Sequence, residues 1–551
     1  MPVDLRNFGK NFGDVSVDSL SIKGWNKIDI VQEGLANDGS QDAGQFIEDH
    51  ADSETLLVFP PGTYSFDTTA NISDVENFGL ICPTGRALFT EGTIDGGDGF
   101  IEMGSFENPV ESCLIKGFTT DTTNTRFAEI YGSGLVEDIR FTEKKEFDTD
   151  SSAYHLTCRT FDEDKTLTFK DIHMPEGGVY DEPLEDAAGG VYVHKETEGT
   201  IKFIDCVIHG MPNNAIYASA PGESDGGNGA IHVERGVFKN NNVASVRIGG
   251  DGSSVRDAKF IFDDPDADFT GVRGIYARNG SGHVVENNRY ETRDETTDVV
   301  HAIVTSDCGS VAFSNEHHVD EGGARVFRVN DGDADKENRV TVSGLELVGS
   351  ADTEEYPVFI ERDHTKLENI LITQPNRSAI WIDADDVVLE DENLIVGNNE
   401  VLNEGVRFVR NGVSENEGDP SSDGAWNGNA SLANERGVLV YDTSTTPPTR
   451  YLAAPNDSFV AVADDPHDND AHSETFAVDG DAQPPETHDN DAHSETFAVD
   501  GDEQPPETHG NDAHTTDYTD TSPSDVNSSN WDDYEIQKDG TDGDGIINFK
   551  T

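Results

Sequence analysis

GVYVH (190–194), AIYAS (215–219), SVRIG (245–249) and GIYAR (274–278) are one phrase written four times: a small residue, then apolar, variable, apolar, polar. The phrase is found upstream as GFIEM (99–103), RFAEI (126–130) and AYHLT (153–157). Downstream it returns as AIVTS (302–306), VFRVN (326–330), PVFIE (357–361), AIWID (379–383) and GVRFV (405–409). From Val191 to Val406 are 215 residues in eight steps, a mean near 27 with single steps of 22 to 31. Apolar residues alternate with period 2 inside each phrase, the mark of a strand with one buried face. A second strand follows in each unit (IKFID, VVENN, VAFSN, VTVSG, LENIL, VVLED), and just past its apolar residue stands a turn-former: Asp257, Asn287, Asn315, Gly344, Asn369 or Asp391. Asn, Asp and Gly tolerate the left-handed backbone of a tight corner, so a stack of corners selects them.

Short strands at this irregular period, with almost no helical periodicity, predict an all-β chain: a right-handed parallel β-helix, or solenoid, over residues 30–410. An antiparallel sandwich would want hairpin dipeptides at every return, and the units lack them. Twelve phrases at about 4.8 Å per coil make a rod of about 55–60 Å. The segment NDGSQDAGQFIEDHADSETLLVFPPGT (37–63) sharpens the reading. It resembles the entry of the pectate-lyase-like β-helix superfamily, in which an Asp/Gly-rich turn leads to a short helix, a strand and a Pro-Gly-Thr-Tyr turn. The helix is predicted over Asp42–His50, covering the open end of the first coil. The resemblance runs through residues 30–410 by pattern and implies the fold, not the function.

Charge sets the physical setting. The 37 basic and 109 acidic residues give a formal charge of −72. That excludes nucleic acid and anionic membranes as non-specific partners. No stretch has the roughly 18 consecutive apolar residues of a membrane span, so no membrane insertion is expected. With only 16 Lys against 21 Arg, the balance is that of a halophilic protein: in molar salt the screening length falls to about 3 Å and self-repulsion fades. The start, MPVDLRNFGKNFGD, has no basic region followed by an apolar one, so no signal peptide is expected. Five scattered cysteines (Cys82, Cys113, Cys158, Cys206, Cys308) form no CxxC pair and read as buried thiols.

Past residue 410 the text changes. Residues 411–436 are Gly/Asn/Ser/Asp-rich and read as a linker. Residues 437–463, within RGVLVYDTSTTPPTRYLAAPNDSFVAVA, resemble a small β-hairpin module of tail fibres of tailed viruses. HDNDAHSETFAVDGDAQPPET (467–487) then recurs as HDNDAHSETFAVDGDEQPPET (488–508), and HGNDAH (509–514) begins a third copy. These 21-residue His/Asp units (464–514) are similar to fibre shaft repeats, and an acidic segment (515–551) closes the chain. Residues 1–29 are left as an N-terminal attachment segment.

Candidate site residues follow from the strand period. The middle residue of each phrase points outward: His155, Tyr192, Tyr217, Arg247, Tyr276, Val304, Arg328, Phe359, Trp381 and Arg407. On a carboxylate surface, a column of Tyr, Trp and Arg reads as a glycan or receptor site, or as a contact between subunits. Its centre is Tyr192, Tyr217, Arg247, Tyr276, Arg328, Trp381 and Arg407. Two acidic loops suggest calcium: Asp331, Asp333, Asp335 and Glu337 at alternate positions, and Asp542, Asp544 and Asn548 in the register of an EF-hand-like loop. In a three-fold bundle, His467, His472, His488 and His493 could hold a transition metal between chains; a hydrophilic spacer is the plainer reading. No catalytic residues are assigned. Acidic pairs are inevitable among 109 carboxylates, and the polygalacturonase-like and lyase-type motifs are missing.

The expectation is a homo-oligomeric spike or fibre, a trimer, carried on the virion of a tailed virus of halophilic archaea. It would be made in the host cytoplasm, join other virion proteins through the N-terminal segment and bind a host surface glycoprotein or glycan. The alternatives are a polysaccharide-degrading β-helix enzyme and a cell-surface adhesin.

Overall fold

The computed structural model describes residues 24–94, 99–146, 154–180, 187–269, 271–293, 299–335, 338–353, 356–374, 376–377, 379–384 and 387–389. Beyond these it describes the strands 394–397, 406–410, 413–415, 439–442, 449–454, 458–462, 534–538 and 545–549. The chain divides into two units, Met1–Asp464 and Asp465–Thr551.

The first unit is a parallel β-helix. A representative coil has three strands, Ile216–Ala218, Ile231–Glu234 and Val237–Lys239. Each pairs in parallel with its counterpart one coil later, Val246–Ile248, Ser254–Arg256 and Lys259–Phe262. The sequence reading found the first two strands of each coil; the third is a separate strand of three or four residues, too short for period 2 to declare itself. The corner between second and third strands turns in one left-handed residue. Asp257 (φ 54°), Asn287 (58°), Asn315 (54°), Gly344 (75°) and Asn369 (52°) stand at it as expected. Asp391 lies outside the described residues. The stack also runs upstream through Asp138, Asp171, Asp205 and Arg235. Left-handed backbone costs an ordinary residue about 1–2 kcal/mol, and Arg235 offers no local compensation of the Asn/Asp kind. Its guanidinium is instead tied to the corner of the preceding coil, with Nε 2.8 Å from Asp205 Oδ1.

At the N-terminal end, the helix Ala43–Asp49 begins where Asp42 caps it, accepting from the N–H groups of Gly44 and Gln45. The same carboxylate accepts from Thr68 Oγ1 at 2.7 Å, which fixes the helix to the following coil. Ala43, Gly44 and Ile47 are its buried face. The first coil begins at Asn26, whose strand Asn26–Asp29 pairs with Thr55–Val58, four residues inside the expected attachment segment. Parallel pairing also runs past residue 410, since Leu394–Gly397 pairs with Leu439–Asp442. From there Leu439–Asp442, Thr449–Ala454 and Ser458–Val462 form an antiparallel meander, where the fibre-like hairpin was read. The second unit contains the hairpin of Tyr534–Lys538 with Gly545–Phe549.

Inward side chains make one continuous core. Its N-terminal third is aromatic: Phe89 touches Phe59, Phe66, Phe118 and Phe127, with ring centroids 4.4–6.0 Å apart. Farther along, Phe238, Phe260, Tyr290 and His318 stack in register on successive third strands. All five cysteines are buried free thiols, as expected. The core also holds charge. Asp320 and Arg377 form a fully buried pair at 2.7 Å. Glu316 accepts from Tyr290 Oη at 2.8 Å and from Asn288 Nδ2.

Candidate functional site

Register pairing defines the outward column on the first strands. Tyr192 is opposite Tyr217, Tyr217 opposite Arg247, and Arg247 opposite Tyr276. Farther on, Arg328, Phe359, Trp381 and Arg407 follow one another. Two members named from sequence are not in it. Opposite Tyr192 stands Thr157, and His155 is buried with 1% exposure. Opposite Tyr276 stands Ile303, and Val304 is buried in line with Ala277. In both phrases the frame is displaced: the one-residue slip at Val304 puts that side chain on the opposite face, whereas His155, two residues before Thr157 and on its face, is buried with its ring 4.2 Å from that of Phe141. Upstream of Thr157 the column turns acidic, with Glu129, Glu102 and then Asn71. Glu102 and Asn71 border a hollow also lined by Gln45, Glu48, Asp67 and Thr68.

The coil spacing makes the column a stack. Tyr192 and Tyr217 are stacked at 5.4 Å, 23° from parallel, and Tyr154, from outside the column, lies tilted by 34° against Tyr192 at 5.4 Å. The Arg247 guanidinium continues the stack, 4.3 Å from the Tyr217 centroid and 5.5 Å from that of Tyr276. Phe359 and Trp381 form a second stack at 6.0 Å. The ring faces of Tyr192 and Tyr217 are thus turned to neighbouring rings and to Arg247, and that of Tyr276 to the guanidinium groups of Arg247 and Arg273 at 5.5 and 5.4 Å. The column between Tyr192 and Tyr276 therefore carries a row of phenol hydroxyl and guanidinium groups one coil apart.

Beside the acidic end lies a cluster that the strand pattern did not reveal. Arg159 is sandwiched between Phe106 and Phe161, at 3.8 and 4.0 Å from their centroids. Phe106 is 49% exposed. Its partners lie some fifty residues on, Arg159 at the end of the strand Tyr154–Arg159 and Phe161 just past it, and only the fold joins them. Next to it, Glu129 accepts from Tyr131 Oη at 2.6 Å and lies 2.6 Å from Arg126 Nη2 and 3.3 Å from His194 Nε2. Burial would raise the pKa of Glu129, but the hydrogen bond from His194, the charge of Arg126 and the Tyr131 hydroxyl outweigh it and bring it to about 2. A carboxyl that stays ionised is no proton donor, so Glu129 is not the raised-pKa acid that glycoside hydrolysis uses.

Among the described residues, no group of three or more His, Cys, Asp or Glu side chains could hold a metal ion. Of the first acidic loop, Asp335 Oδ1 accepts from the Asn338 N–H at 2.6 Å, and Asp331 acts electrostatically on buried Arg362. Glu337, Asp542 and Asp544 lie outside the described residues, as do His467, His472, His488 and His493. Asn548 falls on the strand Gly545–Phe549.

No family model matches the chain, and no curated protein matches it. Solved structures similar to it are parallel β-helix proteins. One is PfbA, a surface adhesin of Streptococcus pneumoniae: 10% identity, TM-score 0.46, covering 80% of this chain and 100% of that one. Another is the A-module of the mannuronan C-5 epimerase AlgE4 of Azotobacter vinelandii: 13% identity, TM-score 0.38, covering 66% and 95%. A third is the ORF18 protein of Geobacillus virus E2: 13% identity, TM-score 0.30, covering 59% and 61%. At these identities the likeness concerns the fold alone.

Proposed function

We propose that this protein attaches to a glycosylated surface, as a spike or fibre of a tailed virus of halophilic archaea, through the first-strand face of its β-helix. The observation that carries the reading is the ordered rim of Tyr192, Tyr217, Arg247 and Tyr276, continued by Phe359 and Trp381, on a chain of net charge −72. Phenol hydroxyls and guanidinium groups one coil apart suit the hydroxyls and acidic substituents of an extended sugar chain. In this reading the chain is a homotrimer held on the virion through its N-terminal segment, and its carboxylates keep it soluble in molar salt.

Replacing Tyr276 and Trp381 by Ala is the test. Both side chains are half-exposed, so the rod should fold unchanged. Losing two anchors of about 1–2 kcal/mol each should lower binding to haloarchaeal cell envelopes roughly 30-fold or more. A folded double variant that binds as well as the parent would overturn the reading. If it also changed mass in light scattering, the face would be a subunit contact instead.

A further inference from the structure

Cations in this chain are few, and in the described residues most lie against carboxylates. Arg126, Arg235, Arg256, Arg289, Arg293 and Arg328 all do so on the surface. Arg247 and Arg278 do not. Arg247 donates from Nε to Ser219 Oγ at 2.8 Å and lies between the rings of Tyr217 and Tyr276. Among the described residues, its two Nη groups have no protein acceptor. Arg278 makes one long contact, Nη1 to Tyr276 Oη at 3.5 Å. Arg247 stands opposite Tyr276 in the parallel register, and Arg278 follows just past the end of the strand Arg273–Ala277, its Nη1 reaching the Tyr276 hydroxyl. The two guanidinium groups are therefore neighbours, both half-buried and neither neutralised. Burial, and to a lesser degree the charge of Arg278, lower the pKa of Arg247, so the two cations act on each other. Among the described residues, two adjacent arginines that lie against no carboxylate leave a place for an anion from outside the chain.

We infer that Arg247 and Arg278, with the Tyr276 hydroxyl between them, form a subsite for a single anionic substituent of a glycan, a sulfate ester or a uronate carboxylate. The inference rests on the glycan-binding reading of this face and adds the chemical class. Two forked guanidinium groups accept such an anion with several parallel N–H···O bonds. Contact bonds of this kind survive a screening length of about 3 Å, whereas long-range attraction does not. A nucleic-acid backbone would need a track of cations, and the next column cation, Arg328, is already 3.2 Å from Glu361.

The experiment measures binding of the full chain, in multimolar KCl, to dextran sulfate, polygalacturonate and unmodified dextran. The expected result is tighter binding of at least one anionic polymer than of dextran, weakened roughly 10- to 100-fold in Arg247→Gln/Arg278→Gln. Arg256→Gln, on the second strand, should leave it unchanged. Arg247→Lys/Arg278→Lys keeps the charge and loses the fork; its binding should fall between, which supports the subsite even if the Gln variant folds poorly. Equal binding of all three polymers, no binding of either polyanion, or indifference to both double variants would overturn the subsite. If binding of the polyanions falls in Tyr276→Ala/Trp381→Ala but not in the arginine variants, the anion subsite fails and the glycan-binding face stands.

Discussion

Arg377→Met is expected to destabilise the middle of the rod by about 3–5 kcal/mol, the usual effect of removing one partner from a buried ion pair. Asp320 would then remain wholly buried. Its Oδ1 accepts from the N–H groups of Gly322, Gly323 and Ala324, but its Oδ2 would have lost the bond from Arg377 Nη1. Arg377 Nη2 also donates to the Ala324 carbonyl, so the loop 320–324 loses a second support. Adding Asp320→Asn removes the stranded charge while keeping an Oδ1 acceptor, and should restore at least half of the loss. Denaturant unfolding reads the change. If coils open separately, as solenoids can, amide exchange over His317–Asp320 reads it locally. A single Arg377→Met variant as stable as the parent would show that the pair is not formed.

The second large effect depends on pH. Glu316 is completely buried, and burial raises its pKa to about 8, its hydrogen bonds from Tyr290 and Asn288 offsetting only part of the rise. A carboxyl raised on folding stabilises the native state fully below its unfolded pKa, about 4.3, and loses that contribution as pH rises to the folded value. Burial acts oppositely on the facing histidines: His301 falls to about 3 and His318 well below its usual value. They favour folding as pH rises toward 6.5, so acid and histidine slopes oppose each other below that point. Between pH 6.5 and 8 the Glu316 slope stands alone in this cluster, about 1.4 kcal/mol per pH unit or roughly 2 kcal/mol in all. Elsewhere, Lys145, lowered by burial to about 7, adds a slope of opposite sign above that pH. The Glu316 contribution is therefore read as a difference. Glu316→Gln should gain stability relative to the parent from pH 6.5 to 8, and a difference that stays constant over that range would contradict a buried, neutral Glu316.

Neither of these interior groups was legible in the sequence, for a physical reason. In HHVD (317–320) the single apolar residue, Val319, makes period 2 turn His317 and Val319 inward, and the structure takes the other frame. His318 and Asp320 turn inward, into the stack on Tyr290 and the bond to Arg377. The corners were more legible, because a left-handed residue selects Asn, Asp or Gly; the exception, Arg235, is held by a contact from another coil. The strand register was legible wherever a short phrase had one clear frame, as at Tyr192, Tyr217, Arg247 and Tyr276. It was misread at Val304, where apolar residues on both faces hid the frame, and at His155, where the phrase was placed two residues early and the side chain is buried against Phe141. The Phe106, Arg159 and Phe161 cluster depends on contacts between segments far apart in sequence, which no local pattern records.

Hydroxyl-radical footprinting of the full chain on haloarchaeal cell envelopes tests the attachment face most directly. The account predicts that Tyr192, Tyr217, Tyr276 and Trp381 become protected together, while His232, on the second strand, keeps its reactivity. Binding that protects His232 or the ends of the rod, and leaves those four side chains as reactive as in the free protein, would contradict it.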